Sequence, residues 1–121
     1  MMEQIRQFIE SQRTARIVRS VWFENDNIKV YLRAGEYHVD PETREWKWAV
    51  GVSNVSVVRE ADQGKGYFKE LMVNIERWAK QYGYEVMRVE EVRNVKLQKW
   101  LLKHDYTFDP EREDPQASKK L

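Results

Sequence analysis

Val57-Val58-Arg59-Glu60-Ala61-Asp62-Gln63-Gly64-Lys65-Gly66-Tyr67-Phe68-Lys69-Glu70-Leu71-Met72 is the stretch on which the reading of this chain turns. An apolar β-type run leads into it. Two glycines follow, and then a periodic pattern. Phe68, Leu71, Met72, Ile75, Trp78 and Ala79 recur at helical spacing, and Gly83 supplies a stop signal, which predicts a helix over 67–81. Glycines between a strand and a helix let the backbone approach a ligand in conformations closed to other residues. The helix start adds unpaired N–H groups and a positive dipole end. Gln63-Gly64-Lys65-Gly66 is therefore a candidate anion-binding turn, with Lys65 as an added charge. A plain strand-to-helix turn without a ligand explains the same residues. A Walker A loop does not fit, because no Ser or Thr follows the Lys. A Rossmann fingerprint does not fit either, because Lys69 stands at the third glycine position.

Upstream, Trp46, Trp48, Val50 and Val52 alternate, and Val55, Val57 and Val58 continue in a shifted phase, which predicts a bulge near Ser53-Asn54. A second irregularity is expected near Val57-Val58. Ile28, Val30 and Leu32 alternate with Lys29, Tyr31 and Arg33, a half-buried strand in which Gly35 marks a bulge or bend. Residues 17–23 form a further β-rich run. Glu24-Asn25-Asp26-Asn27 and Asp40-Pro41-Glu42-Thr43-Arg44 read as turns. Ile5, Phe8 and Ile9 make an apolar stripe on a helix over 2–12.

Downstream, residues 84–92 begin as a strand. A helix over 95–103 follows, with Asn94 as its N-cap, and then a short strand at 106–108. The expected fold is α+β: a central mixed sheet in which an antiparallel meander precedes a β-α-β unit, flanked by helices. Residues 1–108 make one domain, and residues 109–121 are expected to be a charged, mobile tail.

Whole-chain properties exclude several functions. A length of 121 residues supports one main core, and five Trp and six Tyr help to fill it. Twenty-one basic against 20 acidic residues leave no field that points to nucleic acid or anionic membrane. Without Cys there are no disulfides or thiolate sites, and two His do not suggest a metal centre. The N-terminus lacks a signal-peptide pattern, and no apolar run approaches membrane-spanning length, so a cytoplasmic protein is expected.

The quoted stretch resembles the acetyl-CoA motif of the GCN5-related N-acetyltransferases (GNAT), Val-x-Pro-x-x-Arg/Gln-Gly-x-Gly-x-Gly/Ala-x-x-Leu-Leu. Gln63, Gly64 and Gly66 match its turn, and Leu71-Met72 match its apolar pair. Residues 94–108 resemble the family's Asn-x-x-Ala-x-x-Phe/Leu-Tyr-x-x-x-Gly-Phe, with Asn94 at its first position. The likeness runs over residues 46–108.

The resemblance implies transfer of an acetyl group from acetyl-CoA to an amine by direct attack on the thioester. It implies that Ser56, Val57 and Val58 pair with the pantetheine arm. Backbone N–H groups of Gln63, Gly64, Lys65, Gly66, Tyr67 and Phe68 would hold the pyrophosphate. Asn94 would contact the arm, or act only as a helix cap. Arg88, Arg93 and Lys99 would flank the phosphates or merely cover a polar face.

Departures from the family concern the chemistry. Phe68 replaces a small residue. Leu101 stands where many members have the Tyr that protonates the leaving thiolate, and no Glu lies between Gly51 and Val58. Glu60, His104, Asp105 and Tyr106 remain as catalytic candidates, whereas Glu36, Tyr37 and His38 read as strand-surface residues. Little sequence precedes the meander, so an open acceptor site is expected, suited to a bulky amine on a protein or a modified nucleic-acid base. A homodimer is the other way to close it. The alternative to an enzyme is a non-catalytic acyl-CoA-binding or protein-interaction module on the same fold, and a third option is an unrelated α+β domain.

Overall fold

Ile28, Val30 and Leu32 are buried and the residues between them are not, which sets the faces of the sheet. The computed structural model describes residues 1–57, 66–109 and 114–121. Strand β1 (Arg19–Glu24) pairs antiparallel with β2 (Ile28–Val39), which pairs antiparallel with β3 (Trp46–Val57). Both expected turns are present. Asn25 Oδ1 accepts from Asn27 and Ile28 N–H, and Asp40 Oδ1 accepts from Glu42 and Thr43 N–H. Short polar side chains thus replace the backbone partners that a turn removes.

The bulge expected near Ser53-Asn54 is present. Lys29 faces Ser56 and Tyr31 faces Ser53, so Asn54 and Val55 together oppose Val30. Asn54 takes a φ of 50°, a left-handed conformation that Asn tolerates better than most residues. The irregularity expected at Gly35 is displaced. Gly35 pairs in register with Ala49, and the extra residue is Tyr37, between the Glu36–Trp48 and His38–Lys47 pairs. That expected near Val57-Val58 runs into residues outside the described ones, and the register is regular from Ser56 to Val57.

Helix α2 (Tyr67–Gln81) carries the chain from β3 to β4 (Val86–Val89), and these two strands pair in parallel. Helix α3 (Val95–Lys103) and β5 (Thr107–Phe108) follow. The expected tail is corrected in part. Ala117–Lys120 forms strand β6, which lies between β4 and β5 and gives the sheet order β1-β2-β3-β4-β6-β5. Ala-Ser-Lys-Lys has no apolar alternation to reveal a strand. It is held by backbone pairing to both neighbours, by the buried Ala117, and by Lys119 Nζ, 3.1 Å from Glu76 Oε2 on α2.

Ile5, Phe8 and Ile9 of α1 (Met2–Ser11), five residues of α2, and Leu101 of α3 share one core with the inward side chains of β2, β3 and β4. At roughly 1.5–3 kcal/mol for each large side chain, this burial is what holds the sheet to its helices. Trp22, Tyr31, Arg33 and Arg88 fall on the opposite alternation. Among the described residues, no helix is long and apolar enough to cross a membrane.

Candidate functional site

Strands β3 and β4 run side by side for four residue pairs, Ala49–Val86 to Val52–Val89. Glu90 N–H then donates to Val52 O at 2.9 Å. Beyond this rung the strands part, for reasons visible in both. The Asn54-Val55 bulge bends β3. After β4, Glu91 takes a φ of 56° and Val92 N–H donates to Pro115 O, so the chain turns away from β3. The gap is a cavity of about 460 Å³, within the range of small-molecule clefts. Asn54 and Val55 line one side. Val89, Glu90, Glu91, Arg93, Asn94 and Leu97 line the rest.

The N-terminus of α3 meets this cavity at Asn94. Its Oδ1 accepts from Lys96 N–H at 2.9 Å and Leu97 N–H at 3.2 Å, so the cap expected from sequence is formed. Its Nδ2 protons have no hydrogen-bond partner among the described residues. Capping and a ligand contact are therefore compatible in one side chain. Arg93 pairs with Asp114 at 3.0 Å. At the start of α2, Gly66 adopts φ 82°, ψ 11°, and no side chain among the described residues caps this helix. Glu70 N–H donates to Gly66 O at 3.0 Å, the first bond of the helix, and the N–H groups of a helix's first turn have no partner within the helix.

Val58, Glu60, Gln63, Gly64 and Lys65 lie outside the described residues. Ser56 and Val57 close β3 just beyond the cavity-lining Val55. Tyr67 packs at the margin of the core. Phe68, at the motif's small-residue position, meets Trp100 of α3 edge to face with ring centroids 5.6 Å apart. Its bulk joins two helices.

The described catalytic candidates do not converge on the cavity. His104 caps the far end of α3, about 15 Å along the helix from Asn94, and stacks on Trp100. Tyr106 is only 2% exposed, and its hydroxyl donates to Glu76 on α2. Burial first, and then the Glu76 carboxylate, push its phenol well above the ordinary range. Leu101 is fully buried.

Other residues gather instead. Arg88 and Glu90, two apart in the strand direction, bring Nε and Oε1 to 3.7 Å. Arg88 also donates from Nε to Gln116 Oε1 at 3.1 Å, and its Nη1 lies 3.5 Å from His38 Nδ1. Burial, followed by the Arg88 charge, lowers the His38 pKa. Tyr37 is not the surface residue expected from its strand. Its hydroxyl is buried over Gly51 without a hydrogen-bond partner among the described residues. Burial pushes this phenol upward and the negative Glu90 adds to the effect, with Arg88 and Arg33 opposing. The alternation Val86, Met87, Arg88, Val89 was enough to put Glu90 on the face of Arg88. Sequence reasoning looked for a carboxylate on β3 and so passed over the neighbouring strand.

No family model and no curated protein matches the sequence. Solved structures do match. One is an acetyltransferase of the GNAT family from Listeria monocytogenes, 12% identical, with a TM-score of 0.52 over 78% of this chain and 64% of that one. Another is yncA from Salmonella typhimurium with its cofactor acetyl-CoA, 19% identical, TM-score 0.51, over 76% of this chain and 57% of that one. A third, from Streptococcus pneumoniae, is 14% identical, TM-score 0.57, over 95% and 74%. The chain thus spans less than two thirds of the Listeria and Salmonella proteins. Element order, the bulged third strand, the parallel join and these matches lead to one conclusion: the chain has the fold of the GNAT acetyltransferases.

Proposed function

We propose that this chain binds acetyl-CoA between β3 and β4 and transfers its acetyl group to an amine. The observation that carries the reading is the parting of the two parallel strands beyond the Val52–Glu90 rung, which opens a cavity beside the start of α3. A thioester arm needs a slot with free strand backbone on one side, and the bulged end of β3 supplies such an edge. Ser56, Val57 and Val58 would pair with the arm. Asn94 Nδ2 would donate to one of its carbonyls while Oδ1 holds the cap. The start of α2, which no side chain among the described residues caps, and Gly66 in a left-handed conformation support a pyrophosphate held by N–H groups from Gln63 to Phe68. That yncA, of like fold, was solved with acetyl-CoA supports the choice of donor.

Transfer itself asks for positioning and for stabilisation of the developing oxyanion, which oriented backbone N–H groups can provide. The acceptor we favour is an amine on a bulky partner, a protein or a modified nucleic-acid base. A second reading, an acyl-CoA-binding module without catalysis, draws on Leu101 being buried and on His104 and Tyr106 lying off the cavity. Thiol release from acetyl-CoA in the presence of a panel of primary amines separates the two. Release above the amine-free rate is expected; saturable binding with no release by any amine points to the second reading.

A further inference from the structure

We infer that Glu90 is the base that takes the proton from the incoming amine. The inference rests on the acetyltransferase reading above and names a residue of the same site.

Four observations place it. The Glu90 N–H makes the last rung between β3 and β4, so its side chain stands at the crotch where the strands part. Glu90 lines the cavity. Its carboxylate faces Arg88, whose Nε is 3.7 Å away and is itself held by Gln116. An anchored guanidinium at that distance orients the carboxylate while leaving oxygen lone pairs for a further proton donor. Finally, two described candidates from the sequence lie elsewhere: Tyr106 is bonded to Glu76, and His104 caps the far end of α3. The Tyr37 hydroxyl is buried over Gly51 and lies close enough to Glu90 and Arg88 to feel both charges.

The step balances as follows. The Glu90 carboxylate accepts a proton from R–NH3⁺ and leaves R–NH2. The nitrogen lone pair forms a bond to the thioester carbon, and the carbonyl π pair moves to oxygen. That pair returns as the C–S bond breaks, and CoA leaves as the thiolate. The nitrogen gives its surplus proton to the thiolate through solvent, yielding the amide and CoA thiol. The Glu90 carboxylic acid then releases its proton to water.

The test uses the full chain, acetyl-CoA, and whichever of spermidine, a lysine-containing peptide and an aminoglycoside gives the fastest thiol release with the wild type. Glu90→Gln should lower kcat about 100-fold or more, as loss of a general base does, with KM for acetyl-CoA and its calorimetric Kd within about twofold. Glu90→Ala should regain activity in added formate, a rescue that a merely structural role does not give. A loss of kcat below about tenfold in Glu90→Gln overturns the assignment, and so does the absence of formate rescue. Wild type that binds acetyl-CoA but releases no thiol with these amines also overturns it and leaves the binding reading intact. Wild type that does not bind acetyl-CoA removes the reading beneath it.

Discussion

Glu90 donates its backbone N–H to Val52 O at 2.9 Å, and this bond ends the parallel ladder of β3 and β4. Below it the sheet is continuous and its inward side chains form the core. Above it the two strands diverge around a cavity. One rung thus divides the part of the β-α-β unit that stabilises from the part available for a ligand.

The start of α2 gives a first prediction. A Cβ on Gly66 would meet nothing within 4 Å among the described residues, so the constraint seen there is the φ of 82°. Gly66→Val should cost about 1–2 kcal/mol in denaturant unfolding and weaken acetyl-CoA binding, because a β-branched residue resists this conformation. Gly66→Asn should retain most of both. Equal behaviour of the two variants would remove the conformational explanation.

Tyr37 and Gly51 give a second. The hydroxyl occupies the space in which a Cβ on Gly51 would sit, while the ring carbon Cζ is 3.5 Å from it, an ordinary contact. Gly51→Ala should therefore destabilise by about 1–3 kcal/mol. In a Tyr37→Phe background the same change should cost clearly less, a coupling that a double-mutant cycle measures. Tyr37→Phe alone should be neutral or stabilising by about 1 kcal/mol, since it removes a buried, unpaired hydroxyl.

Tyr106 separates structure from chemistry. Tyr106→Phe removes the donor to Glu76 and leaves that carboxylate with Lys119. A loss of about 1.5 kcal/mol in stability is expected, with acetyl-CoA affinity and thiol release unchanged. Lost thiol release at unchanged stability would restore Tyr106 to the reaction.

Tyr84 sets an alkaline limit. Its hydroxyl donates to Ile9 O at 2.7 Å, and burial, opposed by Arg13, pushes its pKa up to about 12. A folded-state value above the unfolded one near 10 means that the unfolded chain loses this proton first. Its contribution is complete below pH 10 and disappears as pH rises toward 12. Urea unfolding at pH 8, 10 and 11 should show falling stability, up to about 2–3 kcal/mol from this residue by pH 12. Tyr84→Phe should flatten that part of the profile.

The legible parts of the fold were those encoded locally. The period of Phe68 to Ala79, the Asn94 cap and the phase change at Ser53-Asn54 each lie within one segment, and each corresponds to an element or bulge of the structure. What escaped depends on partners distant in sequence. Strand β6 exists because β4 offers it a free edge, not because Ala117–Lys120 has strand patterning. The Tyr37 hydroxyl is buried because Gly51, on the next strand, leaves it room. Glu90 acquires its position from a rung to Val52, a relation that follows from the parallel register rather than from either segment alone.

Calorimetric titration of the full chain with acetyl-CoA tests the central claim most directly. Saturable, one-to-one binding is predicted, with a Kd of about 100 μM or tighter, equivalent to roughly −5.5 kcal/mol. Replacing Asn94 by Ser, which keeps a capping oxygen but removes Nδ2, should weaken that binding with little change in unfolding free energy. Absence of saturable heat up to about 1 mM acetyl-CoA, where a Kd corresponds to only about −4 kcal/mol, would contradict the claim that the gap between β3 and β4 is an acyl-CoA site.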